Sequence, residues 1–248
     1  MRWLLLRGLA RQKEHWLEFS TLMEENSDEV LMLDLPGFGD QSHASTPLTI
    51  RGHTDQLRER FIDLKGDKAD WGILGISLGG MIALDWVSRY PRDFGKCVVI
   101  NSSAKDLGPF WQRLTVYGLY RLLKGSLTTS LEKREVEVLK MVSNLRAKDK
   151  DTQKKMLAIA EKNPLSVTNA LKQITASSQF VLPTKIKTPL LVLASLKDHM
   201  VDVRCSKVMA EKYNARIKFH PTAGHDLPLD DPEWVAQQVK DFEGMTHG

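Results

Sequence analysis

A serine between glycines is the first feature of the sequence that can do chemistry. Residues 75–79 read GISLG, directly after the apolar run Trp71–Leu74 and before an amphipathic helical pattern. This strand–turn–helix context is typical of a nucleophile elbow, a strained turn whose neighbours must be small, and Gly80 extends the small residues. We therefore predict Ser77 as the nucleophile of an acyl transfer. The alternative is an ordinary glycine- and serine-rich turn before a helix.

A serine hydroxyl is a weak nucleophile and needs a neighbouring base. Of the seven histidines, His225 is the best placed, because it follows the last apolar run, Arg216–Phe219. Loops at the carboxyl ends of strands are where α/β sheets place their chemistry. His15 and His53 lie in the helical patterns near 14–25 and 53–65 and are expected at the surface or at helix caps, and His43 is expected to face solvent. We predict His225 as the general base.

The base needs an acid that holds its imidazole in the correct tautomer. Asp198 lies just past the apolar run Leu190–Ala194, which makes it the predicted acid. Asp202, four residues further on, is the alternative acid. The alternative role for Asp198 is a loop cap.

Charge that develops on a carbonyl oxygen is stabilised by two backbone N–H groups. We predict that these belong to Leu78, which follows the serine, and to Leu9, in the loop after the first apolar run. Gly8 permits close approach of the backbone in that loop, although a turn glycine is the simpler interpretation. Arg7 and Gly8 are also predicted to contact the substrate.

Short apolar runs alternate with longer helical patterns along the chain, which predicts an α/β fold. We expect a shortened, mostly parallel sheet of about six strands with helices on both faces. Residues 102–183 contain helical patterns only, and we interpret them as a helical lid inserted into an α/β core of residues 1–101 and 184–248. Such a lid can supply an apolar acyl pocket, although clusters of this kind more often serve packing. The candidate pocket residues are Phe110, Trp111, Leu114 and Tyr117.

The charge is distributed unevenly. The net charge of the chain is only +4, so nucleic acid is not an expected partner, whereas residues 102–183 hold 14 Lys/Arg against 7 Asp/Glu. A solvated helix face is one interpretation of this excess, and a docking surface for an acidic substrate or acyl carrier protein is the other.

No cysteine or histidine spacing resembles a zinc site, and no cofactor is expected. The N-terminal apolar run ends at Arg7, too short for a signal peptide or a membrane span, so we expect a cytoplasmic protein without membrane insertion.

Four segments together resemble the α/β-hydrolase superfamily over nearly the whole chain. Residues 34–39 (DLPGFG) resemble its D-x-P-G-x-G turn, residues 75–80 its elbow, Asp198 with Val201 its acid loop, and residues 224–225 its histidine loop. The chain order of serine, aspartate and histidine is also the order of this superfamily. Within it, the chain is most similar to small lidded esterases such as the pimeloyl-[acyl-carrier protein] methyl ester esterases.

The resemblance implies a serine hydrolase that cleaves carboxylic esters through an acyl-enzyme. Thioester or methyl ester substrates carried by acyl carrier protein are an alternative, and a catalytically silent fold used for binding is another. Two departures bear on this. Arg7 stands where the family usually has histidine before Gly8, and we expect the sheet to lack the usual N-terminal hairpin.

Overall fold

The six predicted strands form a single parallel sheet. In the computed structural model, which describes residues 1–109, 113 and 130–244, the strand order is β2-β1-β3-β4-β5-β6, and all five pairings are parallel. This confirms the predicted sheet. The strands are β1 (Arg2–Leu6), β2 (Glu29–Leu33), β3 (Trp71–Ile76), β4 (Lys96–Ile100), β5 (Leu190–Ser195) and β6 (Arg216–His220).

The central strands are covered on both faces, which is why their sequences are continuous apolar runs. Leu4 and Leu6 of β1 pack in the core on one face, and Trp3 and Leu5 pack in the core on the other. The parallel register aligns the carboxyl ends of the strands, with Leu6 opposite Gly75. The loops that leave those ends therefore share one edge of the sheet.

Helices flank the sheet and follow the predicted patterns closely. Residues 131–179 of the predicted lid contain three of them, and no strand lies in the described part of 102–183. The division into core and lid itself stays a prediction. The helices of the described ranges are α1 (Glu18–Asn26), α2 (Ile50–Lys65), α3 (Leu78–Arg89), α4 (Leu131–Val142), α5 (Lys150–Lys162), α6 (Val167–Gln179), α7 (Val203–Lys212), α8 (Leu227–Asp230) and α9 (Pro232–Glu243).

Polar side chains begin the helices of the predicted lid. Ser130, Asp149 and Ser166 each accept a hydrogen bond from a backbone N–H of the first turn. Such caps satisfy donors that have no partner within the helix. No helix among the described residues is long and apolar enough to cross a bilayer.

Two sequence interpretations were wrong. The helical pattern at 14–25 is a short 3-10 turn, Lys13–Trp16, followed by α1, and Leu17 between them has a φ of 46°. His15 and His53 are buried, at 3% and 0% exposure, and not at the surface, although the expected cap role is met by His15, whose Nδ1 accepts from the backbone N–H of Gln12 at the start of the 3-10 turn. An amphipathic pattern shows that a helix has a buried face, but a histidine within it can lie on that face.

Candidate active site

Ser77 lies in the tight turn between β3 and α3. Its φ of 55° and ψ of −115° lie outside the regions that residues with a side chain favour. A Cβ on Gly75 would lie 2.2 Å from the carbonyl oxygen of Gly79, and a Cβ on Gly79 would lie 2.3 Å from the carbonyl oxygen of Leu6. The glycines on both sides of the serine are therefore required by the packing of the turn.

Neighbouring strand ends hold the turn in place. The backbone N–H of Ser77 donates to the carbonyl oxygen of Ile100 at 2.8 Å. The hydroxyl of Ser102 donates to the carbonyl oxygen of Ser77, also at 2.8 Å. Strained backbone persists only where surrounding contacts determine it, and these two bonds supply such contacts.

Asp198 and His225 are in direct contact. The imidazole Nδ1 of His225 donates to Oδ2 of Asp198 at 2.8 Å. The other carboxylate oxygen, Oδ1, accepts from the backbone N–H groups of Met200 at 2.7 Å and Val201 at 3.0 Å. The side chain of His225 is only 7% exposed, and that of Asp198 only 2%. The carboxylate is thus fixed by its own loop and aimed at the imidazole.

Opposing influences set the pKa of His225. Burial, the largest of them, lowers this pKa, but the charge and hydrogen bond of Asp198, together with the charge of Asp226, outweigh burial and Arg7. The net pKa lies above the ordinary value of a histidine. An imidazole in this setting holds a proton more readily than one in water.

Ser77 and His225 face the same cavity, whose volume is about 420 Å³. Among the described residues, Ser77 Oγ is not hydrogen-bonded to His225. Contacts between nucleophile and base are often long without substrate and tighten when it binds. The cavity walls are mostly apolar and include Phe38, Ile76 and Met141.

The alternative acid, Asp202, lies elsewhere. Its Oδ1 accepts from the backbone N–H of Arg204 at 2.8 Å, where it caps α7, and its Oδ2 accepts from the guanidinium of Arg204 at 2.7 Å. The hydrogen bond from Arg204 is the largest cause of its lowered pKa. The geometry therefore brings Asp198, rather than Asp202, to the imidazole.

The loop after β1 packs directly against the serine. A Cβ on Gly8 would lie 3.2 Å from Cβ of Ser77 and 3.8 Å from its Oγ. Leu9 lines the cavity, and Leu78 is the first residue of α3, where backbone N–H groups have no partner within the helix. Their role as oxyanion donors stays a prediction.

Arg7 makes a buried contact that sequence reasoning missed. Its Nη1 donates to Oδ1 of Asp226 at 3.1 Å, and its Nη2 donates to Oδ2 of the same carboxylate. The guanidinium also lies over the ring of Trp16, 4.6 Å from its centroid. Arg7 directly follows β1, Asp226 directly follows the predicted base His225, and the two carry opposite charges, which was the available signal.

Asn101 and Asp230 are two further residues that the sequence did not single out. Asn101, with a φ of 46°, donates through Nδ2 to the carbonyl oxygen of His225 at 2.8 Å. Asp230 accepts from the backbone N–H of Gly224 at 2.6 Å and from the hydroxyl of Ser143 at the end of α4. Both residues fix the histidine loop, and Asp230 also connects it to the predicted lid.

Four of the predicted substrate contacts, Phe110, Trp111, Leu114 and Tyr117, lie outside the described residues. Within the described ranges, no three His, Cys, Asp or Glu side chains are grouped closely enough to hold a metal ion. Ser77 and His225 thus line one cavity, Asp198 is hydrogen-bonded to His225, and Gly8 packs against the serine.

The chain is similar to known proteins in sequence and in fold. A model of the alpha/beta hydrolase family matches residues 3–238. The chain is 23% identical to human monoacylglycerol lipase ABHD6, over 98% of the chain and 75% of that protein. It is 24% identical to the biotin biosynthesis bifunctional protein BioHC of Teredinibacter turnerae, over 96% of the chain and 43% of that protein. The enol-lactonase from Burkholderia xenovorans superposes with a TM-score of 0.79 at 17% identity, over 98% of this chain and 91% of that one.

Proposed function

The chain belongs to the alpha/beta hydrolase family, and from this premise we propose that it hydrolyses carboxylic esters through an acyl-enzyme formed on Ser77. The observation that carries the proposal is the 2.8 Å hydrogen bond between His225 and Asp198 beside the strained serine. Similarity to a monoacylglycerol lipase supports ester substrates.

Acylation begins when Nε2 of His225 takes the hydroxyl proton of Ser77 and Oγ attacks the ester carbonyl carbon. The carbonyl oxygen becomes an oxyanion, which the backbone N–H groups of Leu78 and Leu9 stabilise. The tetrahedral intermediate then collapses. His225 gives its proton to the leaving alcohol, and the acyl group stays on Ser77.

Deacylation repeats these steps with water. His225 takes a proton from water, the hydroxide oxygen attacks the acyl carbon, and the second intermediate collapses to the free acid as His225 returns the proton to Ser77. Asp198 holds Nδ1 protonated, so that Nε2 faces the serine as the base. Its charge also stabilises the imidazolium that forms in both halves of the reaction, which agrees with the raised pKa of His225.

Labelling with a fluorophosphonate tests this proposal, since the reagent reacts with activated serines. We expect the wild type to be labelled and Ser77→Ala to be unlabelled. Ser42→Ala is the matched control, because Ser42 also lines the cavity but is exposed, and it should label like the wild type. A folded wild type that is not labelled and turns over no p-nitrophenyl ester would favour the catalytically silent alternative.

A second candidate function is cleavage of esters or thioesters carried by acyl carrier protein. The exposed side of α5 presents Lys150, Lys154 and Lys155, which fits an acidic carrier. Similarity to a bifunctional protein of biotin biosynthesis is consistent with such a substrate. Charge reversal of the three lysines should lower kcat/KM for carrier-bound substrates and leave p-nitrophenyl esters unaffected.

Lys218→Glu is the control for this candidate, because Lys218 is exposed on β6, an edge strand of the sheet. It should leave both substrate classes unaffected. Carrier-bound turnover that is unchanged by reversal on α5 would exclude docking at this face.

A further inference from the structure

The cavity that holds Ser77 has a second, cationic part. Its described lining includes four basic residues and two acidic ones. One of the acidic residues, Asp226, is already paired with Arg7. The basic side chains that remain are Arg11, Arg134 and Lys162.

Arg11 is the most informative of the three. Its residue exposure is 9%, and its Nη1 contacts Nε2 of His15 at 3.2 Å and Oε2 of Glu135 at 3.4 Å. Its Nη2 is buried and has no hydrogen-bond partner among the described residues. A buried charged donor without an acceptor is costly, so the charge of Arg11 is only partly compensated by Glu135.

The surrounding groups leave positive charge in excess. Burial lowers the pKa of His15 well below its ordinary value, so its imidazole is neutral and adds no charge at pH 7. Glu135 compensates only one cation. Arg134, on the same helix α4, is half-buried and has no ion pair within the described ranges. The nearest acidic partner of Lys162 is Glu14, at 3.9 Å.

The three cations belong to one region of the molecule. Arg11 contacts α4 through Glu135, the residue after Arg134. Gln12, beside Arg11, donates through Nε2 to the carbonyl oxygen of Asn163, the residue after Lys162, at 3.0 Å. The loop after β1, α4 and the end of α5 therefore meet around this part of the cavity.

We propose that Arg11, Arg134 and Lys162 form a subsite for an anionic oxygen group, a carboxylate or a phosphate, of the substrate. The inference rests on the proposed function: the ester carbonyl would lie at Ser77, and the anionic group of the same molecule would pair with Arg134 and Lys162 and be attracted by the charge of Arg11. An apolar chain between the two groups would follow the apolar part of the cavity wall. The favoured substrate is thus an ester that carries a negative charge remote from the bond that is cleaved.

Matched ester pairs test the subsite. One arm uses monomethyl esters of dicarboxylic acids of graded length, the other uses methyl esters with a terminal phosphate, and each is compared with the neutral methyl ester of equal length. Hydrogen bonds between charged groups are stronger than those between neutral groups. We therefore expect kcat/KM for the best anionic ester to exceed that of its neutral partner by about tenfold or more. The arm with the larger preference identifies the anionic group.

Variants show which residues cause the preference for anionic esters. Arg134→Gln should abolish most of the preference, measured as the ratio of kcat/KM for the anionic ester to kcat/KM for its neutral partner, and it avoids the buried contacts of Arg11. Arg11→Gln should act in the same direction. The control is Arg51→Gln, since Arg51 is exposed on α2 and does not line the cavity; it should keep the wild-type preference.

Two outcomes separate this inference from the proposed function. If Ser77 is labelled and neutral esters are hydrolysed as well as anionic ones, the subsite is wrong and the function stands. If no ester is turned over, calorimetry of Ser77→Ala with hexyl phosphate and with heptanedioate gives the answer. Binding that Arg134→Gln weakens supports the subsite, and no binding, or binding that this variant leaves unchanged, overturns it.

Discussion

The guanidinium of Arg7 and the carboxylate of Asp226 form a buried ion pair, with side chains 3% and 4% exposed. The pair joins the loop after β1 to the residue that follows His225. Gly8, next to Arg7, packs on Ser77. The pair therefore couples the predicted oxyanion loop to the predicted base, and it stands where similar hydrolases usually have a histidine before the glycine.

Removing one member of this pair should be far more damaging than removing both. Arg7→Met leaves the carboxylate of Asp226 buried without a counter-charge, which costs about 3–5 kcal/mol of unfolding free energy. We expect Arg7→Met/Asp226→Leu to recover much of that loss in urea unfolding. Additive losses in the double variant would contradict the coupling. Arg2→Met, which removes a half-buried arginine that faces Glu29 at 3.6 Å, should cost much less.

The assignment of Asp198 as the acid predicts a large difference in kcat between variants of two neighbouring aspartates. Asp198→Asn preserves the size of the side chain but no longer holds Nδ1 of His225 protonated, and kcat should fall by about 10⁴-fold. Asp202→Asn should leave kcat unchanged, because asparagine also caps helices. Steady-state kinetics with one p-nitrophenyl ester measures both. Equal losses in the two variants would show that the contact seen here is not the catalytic one.

The sequence predicted the parts of this site that are encoded locally. The elbow is contiguous with β3 and α3, and each strand is a continuous apolar run, so both follow from short windows. Arg7 and Asp226 are separated by 219 positions, and they follow strands β1 and β6, which three other strands separate in the sheet, so only the tertiary fold brings them together. The burial of His15 and His53 was missed for a similar reason, since it depends on which helix face meets the core.

The raised pKa of His225 predicts a displaced acid limb in the pH profile. His225 must be neutral to act as a base, so kcat/KM should fall as the pH drops through its pKa, and the midpoint should lie above 6.5. Asp198 is the main group that raises this pKa. In Asp198→Asn the residual activity should therefore have its acid limb at lower pH. A midpoint that stays in place in the variant would argue against Asp198 as the cause.

His53 should make the fold sensitive to acid independently of the active site. Burial lowers its pKa to about 4, so below pH 6.5 the unfolded chain binds a proton that the folded chain does not. The stability that this group contributes is present above pH 6.5 and is lost as the pH falls towards 4, by about 3 kcal/mol in total. His53→Leu removes the ionisable group, so its unfolding free energy should decline less steeply over that interval than that of the wild type. His43→Gln, at an exposed histidine, should keep the wild-type slope, and parallel slopes for wild type and His53→Leu in urea titrations at graded pH would refute the prediction.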